Sequence, residues 1–237
     1  MSRSDAAALP PTPLGTSFGE LPLSAAQLTN LTQLGYLAMT PVQAASLPLA
    51  LAGHDLIVQA QTGSGKTAAF ALTLLAKLKL DDTTRPFAVQ ALVLCPTREL
   101  ADQVTTEIRR LARSEDNVKT LTLCGGVPLR NQQSSLEHGA HVVVGTPGRI
   151  IDHLERGHLV LEALNTLVLD EADRMLDMGF FDDIAVVIKQ CPKERQTLLF
   201  SATYPEGITK LAAAFMRAPK EVNRHSYQTV WCNSIYR

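Results

Sequence analysis

The chain has 237 residues, 46% of them hydrophobic and 19% charged, which is apolar mass for one sizeable core and excludes a chain disordered throughout. At about 150 residues per domain the length lies between one and two domains. With 22 basic and 23 acidic side chains the net charge is −1, so no global positive field advertises a polyanion and any nucleic-acid contact must come from local groups.

In chain order, residues 1–17 hold no continuous apolar run and read as a disordered leader rather than a secretion signal. No apolar stretch reaches the roughly 18 residues of a membrane span. From Leu56 onward, short apolar runs alternate with amphipathic ones. Strands are predicted at 56–59, 91–95, 120–123, 141–144, 166–169 and 196–200, and helices at 65–79, 98–113, 129–138, 148–156, 181–190 and 206–216. Most of these strands are continuously apolar, as in a parallel sheet buried on both faces. The alternation predicts a doubly wound α/β domain, in which ligands bind beyond the carboxyl ends of the strands. Cys95, Cys124, Cys191 and Cys232 show no metal-ligand or redox spacing. Cys95 and Cys124 close apolar runs and read as small buried hydrophobes, in keeping with a cytoplasmic location. His138 and His141 read as loop or surface residues, and the basic run 108–113 as a solvated helix face.

The first predicted strand runs into Ala60, Gln61, Thr62, Gly63, Ser64, Gly65, Lys66 and Thr67. This matches the phosphate-loop pattern G-x-x-x-x-G-K-[ST], with Ala60 in the first glycine position. Gly63 and Gly65 permit the curvature that turns backbone N–H groups onto phosphate oxygens, and the helix N-terminus adds its positive end. Lys66 supplies a point charge for the outer phosphates of a nucleoside triphosphate, and the Thr67 hydroxyl suits Mg²⁺. Asp170 and Glu171 leave the strand 166–169. Two acids at a buried strand's exit are costly without a cation. Asp170 is therefore expected to hold Mg²⁺, through water, and Glu171 to orient and deprotonate an attacking water. A dinucleotide-binding dehydrogenase domain is excluded, because no G-x-G-x-x-G follows the first strand.

The run Asp-Glu-Ala-Asp at 170–173 completes a series. AQTGSGKT, PTRELA at 96–101, Gly125-Gly126, TPGR at 146–149, DEAD and SAT at 201–203 occur in this order. From about Phe18 to Pro219 the chain resembles the N-terminal RecA-like domain of DEAD-box ATP-dependent RNA helicases, and its wording is most similar to the bacterial DbpA subgroup, which acts in ribosome assembly. The resemblance implies a mainly parallel sheet with helices on both faces, spanning residues 18–222, with ATP and Mg²⁺ as cofactors. In the segment 35–43 it implies that Gln43 reads adenine with paired hydrogen bonds, that Tyr36 stacks on the base, and that Phe18 is the family's isolated upstream aromatic. Met39 departs from the family, which usually has proline there.

The resemblance assigns Pro96, Thr97, Arg98, Gly126, Thr146, Pro147, Gly148 and Arg149 to an RNA backbone track. Thr97 and Thr146 read equally as helix caps. It makes Ser201, Ala202 and Thr203 a coupling element, with Ser201 and Thr203 hydrogen-bonded to Asp173. A monomer is expected, with no membrane partner. The family's arginine fingers come from a second RecA-like domain, which the sequence does not hold. The implied activity is ATP hydrolysis coupled to RNA binding and local unwinding. Alternatives are an ATP- and RNA-binding module with little turnover, or a DNA-directed helicase domain. Residues 223–237, with Trp231 and Cys232, no longer look like the family and read as an atypical, poorly packed tail.

Overall fold

A computed structural model describes residues 17–80, 87–115 and 117–223. The leader and tail expectations therefore lie outside the described residues, apart from Ser17 and Asn223. The elements follow in the order α1 (Ala25–Gln33), α2 (Pro41–Leu51), β1 (Leu56–Gln59), α3 (Lys66–Lys77), β2 (Ala91–Leu94), α4 (Arg98–Leu111), β3 (Thr120–Leu123), α5 (Leu129–Glu137), β4 (Val142–Gly145), α6 (Pro147–Glu155), β5 (Thr166–Leu169), α7 (Ala172–Asp177), α8 (Phe181–Lys189), β6 (Gln196–Ser201), α9 (Glu206–Phe215) and β7 (Lys220–Val222).

The strands form one seven-stranded sheet in the order β3-β4-β2-β5-β6-β1-β7, and every pairing is parallel. The apolar runs explain this directly. Alternate residues of β2 enter different cores: Ala91 and Val93 on one face, Leu92 and Leu94 on the other. Residues of α1 to α4 cover the first face and residues of α5 to α9 the second. Helix α3 crosses the first face with Phe70 fully buried and tilted against Phe200 of β6, ring centroids 5.3 Å apart. Such aromatic pairs add about 0.5–1.5 kcal/mol beyond the area they bury.

Three differences from the sequence reading have local causes. Helices α1 and α2 start at capping boxes, in which Ser24 and Thr40 accept from the Gln27 and Gln43 N–H groups while those glutamines accept in return from the cap N–H groups. Helix α2 keeps Pro48 inside it and is apolar on most of its faces, so no amphipathic period marks it in the sequence. Strand β7 was not expected. Asp55 holds it in place, since its carboxylate accepts from the Thr197 and Arg217 N–H groups, each at 2.8 Å, and its carbonyl from the Lys220 N–H at 2.8 Å.

His141 is not a surface residue. It is buried at the entry to β4, its Nδ1 accepts from the Lys119 N–H at 3.0 Å and its ring lies 4.4 Å from that of Phe87. His138 does stay exposed, bonded to the Ser134 carbonyl. In the basic run, Ile108 and Leu111 are buried and Arg109 donates to the Thr120 carbonyl at 2.8 Å, so this face is only partly given to solvent.

Among the described residues no helix is long and apolar enough to cross a membrane, and no cluster of three metal-ligating side chains occurs.

Candidate functional site

Six of the seven strands deliver a singled-out motif at their carboxyl ends: β1 the phosphate loop, β2 PTRELA, β3 Gly125-Gly126, β4 TPGR, β5 DEAD and β6 SAT. A parallel sheet puts these ends on one edge, so residues more than a hundred positions apart meet there.

Beyond β1, Gly65 is the N-cap of α3 with φ of +89°. A Cβ there would come within 2.6 Å of Gln43 Nε2, so both conformation and space demand glycine. Ala60 is buried, and its N–H donates to the Ser201 carbonyl at 2.9 Å. A small side chain suffices where the loop leaves the sheet. Lys66 is also buried, and its Nζ lies 2.6 Å from Asp170 Oδ1 and 3.5 Å from Glu171 Oε1. Thr62 donates to the same Glu171 oxygen at 3.2 Å.

Glu171 has the left-handed backbone φ 52°, ψ 50°, which costs a residue with a Cβ about 1–2 kcal/mol. The Asp170 carboxylate accepts the Glu171 N–H at 2.9 Å, and Arg174 lies 3.4 Å from its outer oxygen. A fully buried aspartate thus holds a strained glutamate at the mouth of the cleft, as strained residues are often held at functional sites. Burial pushes the Asp170 carboxyl above the usual range, against the downward pull of Lys66.

Asp170 Oδ2 and Ser64 Oγ are buried without a hydrogen-bond partner. Unsatisfied oxygens beside a phosphate loop fit the coordination and hydrogen bonding that Mg²⁺ and a nucleotide would supply. Thr67 lines the adjoining cleft with Tyr36, Gly63, Gly65, Leu100, Gln103 and Glu107. A second cleft of about 570 Å³, sharing Thr62, Lys66, Leu100, Gln103 and Glu171 with it, reaches Thr97, Asp173 and Ala202.

Gln43 lies deeper than a base-reading side chain in an open groove. It is 1% exposed, its Oε1 accepts the Thr40 N–H at 2.9 Å and its Nε2 donates to the Gly65 carbonyl at 3.0 Å. One amide hydrogen and one lone pair are left over. The helix-start role and a contact with the phosphate loop are both present. Tyr36 lines the cleft and its hydroxyl donates to Glu107. Phe18 is buried with its ring edge-on to Tyr36, centroids 6.2 Å apart. It reaches the cleft only through Tyr36. Met39 is buried in the first core.

Of the two hydrogen bonds expected from 201–203 to Asp173, the one from Thr203 is present. The Thr203 N–H and hydroxyl both donate to Asp173 Oδ2, at 2.9 and 2.8 Å. Burial alone would raise the Asp173 carboxyl. Hydrogen bonds from Thr203 and from the Arg174 N–H outweigh it and hold the group below its ordinary value. The single Ser201 hydroxyl proton goes to the Thr203 carbonyl at 2.6 Å instead of to Asp173, which closes the turn on itself. Ala202 is exposed between them.

On the other half of the edge, Arg98 is exposed at the start of α4, and a Cβ on Gly126 would come within 3.0 Å of its Nη1. Arg149 donates to the Val127 carbonyl and to Gln132 Oε1, each at 2.8 Å. Gly148 is exposed at the start of α6. Pro96 and Pro147 are buried, so those segments face outward through backbone and neighbours. Thr97 caps α4 by accepting the Leu100 N–H at 3.3 Å. Thr146 makes no such cap: its own N–H donates to the Leu123 carbonyl. Cys95 and Cys124 are buried, and burial pushes both thiols up.

Sequence reasoning missed Gln103 and Glu107 in the cleft, and Gln132 and His153 behind Arg149. The last two carried a signal. Gln132 precedes Leu136 by four residues and His153 follows Ile150 by three, so each polar residue shares an apolar helix face.

A family described as DEAD/DEAH box helicase matches residues 40–211. The chain belongs to this family. Among its relatives, the ATP-dependent RNA helicase DbpA of Escherichia coli K12 is 61% identical over 197 residues, 83% of this chain and 42% of that protein. The DEAD-box ATP-dependent RNA helicase CshA of Streptococcus pneumoniae serotype 4 is 48% identical over 205 residues, 86% of this chain and 38% of that one. The crystal structure of a DEAD box protein from the hyperthermophile Methanococcus jannaschii superposes with a TM-score of 0.82 at 39% identity, covering 88% of this chain and 56% of the other. The DEAD-box fold, a parallel RecA-like sheet flanked by helices, is therefore that of this chain. The chain spans about two fifths of the length of these two curated relatives.

Proposed function

We propose that this chain is the ATP-binding half of a DEAD-box RNA helicase, holding ATP and Mg²⁺ beyond β1 and β5 and the RNA backbone beyond β2, β3 and β4. The observation that carries the reading is the buried Lys66–Asp170–Glu171 cluster, set against a left-handed glycine loop, with one Asp170 oxygen unsatisfied. Lys66 moves its charge from the carboxylates to the outer phosphates when nucleotide enters. Thr67 and, through water, Asp170 would hold Mg²⁺, which when bound would offset phosphate charge. Glu171, fixed in its strained conformation, orients the attacking water and accepts its proton. Gln43 turns its free amide hydrogen and lone pair to the adenine edge while keeping Gly65 in place, and Tyr36 offers its ring to the base.

The Thr97 and Thr146 hydroxyls and the N–H groups of Arg98, Gly148 and Arg149 supply contacts to the RNA backbone, so a chain of net charge −1 can still bind a polyanion. The two bonds from Thr203 to Asp173 tie the acid strand to β6, and through it to the phosphate loop by the Ala60–Ser201 bond. Arginine fingers from a second RecA-like domain complete turnover, in a cytoplasmic protein of the DbpA type. Residues 1–237 alone are expected to bind ATP and RNA yet show almost no RNA-stimulated hydrolysis in a phosphate-release assay. Robust stimulation without an added second domain would refute the division of labour.

A further inference from the structure

Behind the proposed RNA track lies a small polar network within an otherwise apolar layer. Gln132 of α5 is 6% exposed, and both lone pairs of its amide oxygen and one of its amide hydrogens are engaged. Nε2 donates to the Cys124 carbonyl at 2.9 Å, while Oε1 accepts from Arg149 Nη1 at 2.8 Å and from His153 Nε2 at 2.9 Å. Arg149 Nη1 also donates to the Val127 carbonyl at 2.8 Å. One amide thus fixes the carbonyls on both sides of Gly125-Gly126, directly at Cys124 and through Arg149 at Val127. The left-handed Gly126, φ +78°, is held against the Arg98 guanidinium by this frame.

The donor pattern fixes the protonation. Because Gln132 Nε2 is spent on Cys124, its oxygen faces both Arg149 and His153, and the histidine must carry its proton on Nε2. His153 is fully buried, its Nδ1 has no partner, and its ring lies 5.6 Å from that of His158. The choice of neutral acceptors has an electrostatic consequence. Carboxylates would orient an arginine and also cancel its charge. Here two carbonyl-type oxygens orient Arg149 on its inner side, and its carboxylate neighbour Asp152, 3.5 Å from Nε, is half exposed and screened by water. The guanidinium is aimed while its field is left free for a phosphate.

We infer that Gln132 and His153 are positioning residues for RNA binding: through the Gln132 amide they set Arg149 and the Gly125-Gly126 turn at one fixed separation, so that RNA affinity depends on the His153 N–H while ATP affinity does not. This rests on the RNA track of the proposed function.

The test uses the whole 237-residue chain at low salt, with a fluorescein-labelled single-stranded oligouridylate of about ten nucleotides and, separately, a fluorescent ATP analogue with Mg²⁺. Losing the His153–Gln132 hydrogen bond is expected to weaken RNA binding by about 3- to 10-fold in His153→Leu, and losing all three bonds of the amide by at least as much in Gln132→Met, with ATP-analogue affinity within about twofold in both. His153→Gln, whose Nε2 can reach the same oxygen, is expected to restore the wild-type RNA value. Equal loss of RNA and ATP affinity would mark a purely structural role and overturn the inference, as would unchanged RNA affinity or a His153→Gln variant as weak as His153→Leu.

Should the apolar variants not fold, the unaltered chain still decides. In an NMR titration with the same RNA, the His153 Nε2 and Gln132 side-chain amide signals are expected to shift with the Gly126 and Gly148 amides, at one midpoint. Gly126 and Gly148 shifting while the two side chains stay still overturns the inference and leaves the RNA track intact. No RNA response from any of them removes the track and the inference with it.

Discussion

The two halves of the sheet's carboxyl edge handle charge in opposite ways. On the β1 and β5 half, a buried lysine faces two carboxylates and a buried oxygen is left unsatisfied. On the β2, β3 and β4 half, Arg149 rests on neutral oxygens, Arg98 lies against a glycine, and the buried Gln132 oxygen has both its contacts made. The first arrangement is expensive to keep dry, and in the proposed function it is completed by a ligand that brings phosphate and a cation together. The second is held by its own hydrogen bonds and presents charge. In that reading one half changes its internal pairing when it binds and the other holds a shape. Within the first half stands the β6 turn, whose Thr203 bonds Asp173 twice and whose strand lies between β1 and β5.

This contrast sets separable effects. The largest is expected for Lys66→Ala, which removes the charge-assisted phosphate contact and leaves Asp170 uncompensated. ATP affinity should fall by at least about 100-fold, while RNA affinity without nucleotide stays within about twofold. Calorimetric titration of both ligands checks this, and parallel losses would merge the two halves. Next is Gln43→Ala, expected to weaken ATP by about tenfold and GTP by less than about twofold, read by competition against a fluorescent nucleotide. Because Gln43 also closes the α2 cap and holds Gly65, equal losses for both nucleotides would leave it a loop support only.

The smallest concerns pH on the RNA half. Burial, then the charges of His158 and Arg149, lower His153 from 6.5 to about 4, and Arg156 adds to them while Asp152 opposes. The unfolded chain takes up this proton below about pH 6.5 and the folded chain only near 4. Stability is therefore present above pH 6.5 and falls as pH drops through that window, by at most about 1.4 kcal/mol per pH unit. His153→Gln should flatten this part of the Tm-against-pH curve. An unchanged slope would place the titration elsewhere.

Much of this was legible in the residues. The continuous apolar runs located six strands to within a residue or so at either end, because strands buried on both faces leave no polar alternation to misread. The phosphate loop and the acid pair were legible because few other structures need Gly-Lys-Thr after one strand and Asp-Glu after another. Strand β7 was not legible, since Lys-Glu-Val is polar and its pairing depends on Asp55, which lies 165 positions before Lys220. Helix α2 was obscured by Pro41 and Pro48, one a favourable first-turn residue and the other tolerated inside the helix. The burial of His141 was hidden because its partner, the Lys119 N–H, comes from a neighbouring strand's entry. The Gln132 network was hidden for a similar reason. A glutamine in a helix reads as solvent-facing until the Cys124 carbonyl and two side chains of α6 converge on its amide.

The role of the unsatisfied Asp170 oxygen is tested most directly by titrating ATP into the chain with and without Mg²⁺, for the unaltered protein and for Asp170→Asn. Mg²⁺ is expected to tighten ATP clearly in the unaltered chain, by about tenfold or more, and to have almost no effect in Asp170→Asn. An equal Mg²⁺ dependence in both proteins would contradict the assignment of that oxygen, and with it the reading of the β1 and β5 edge as a site completed by nucleotide and metal together.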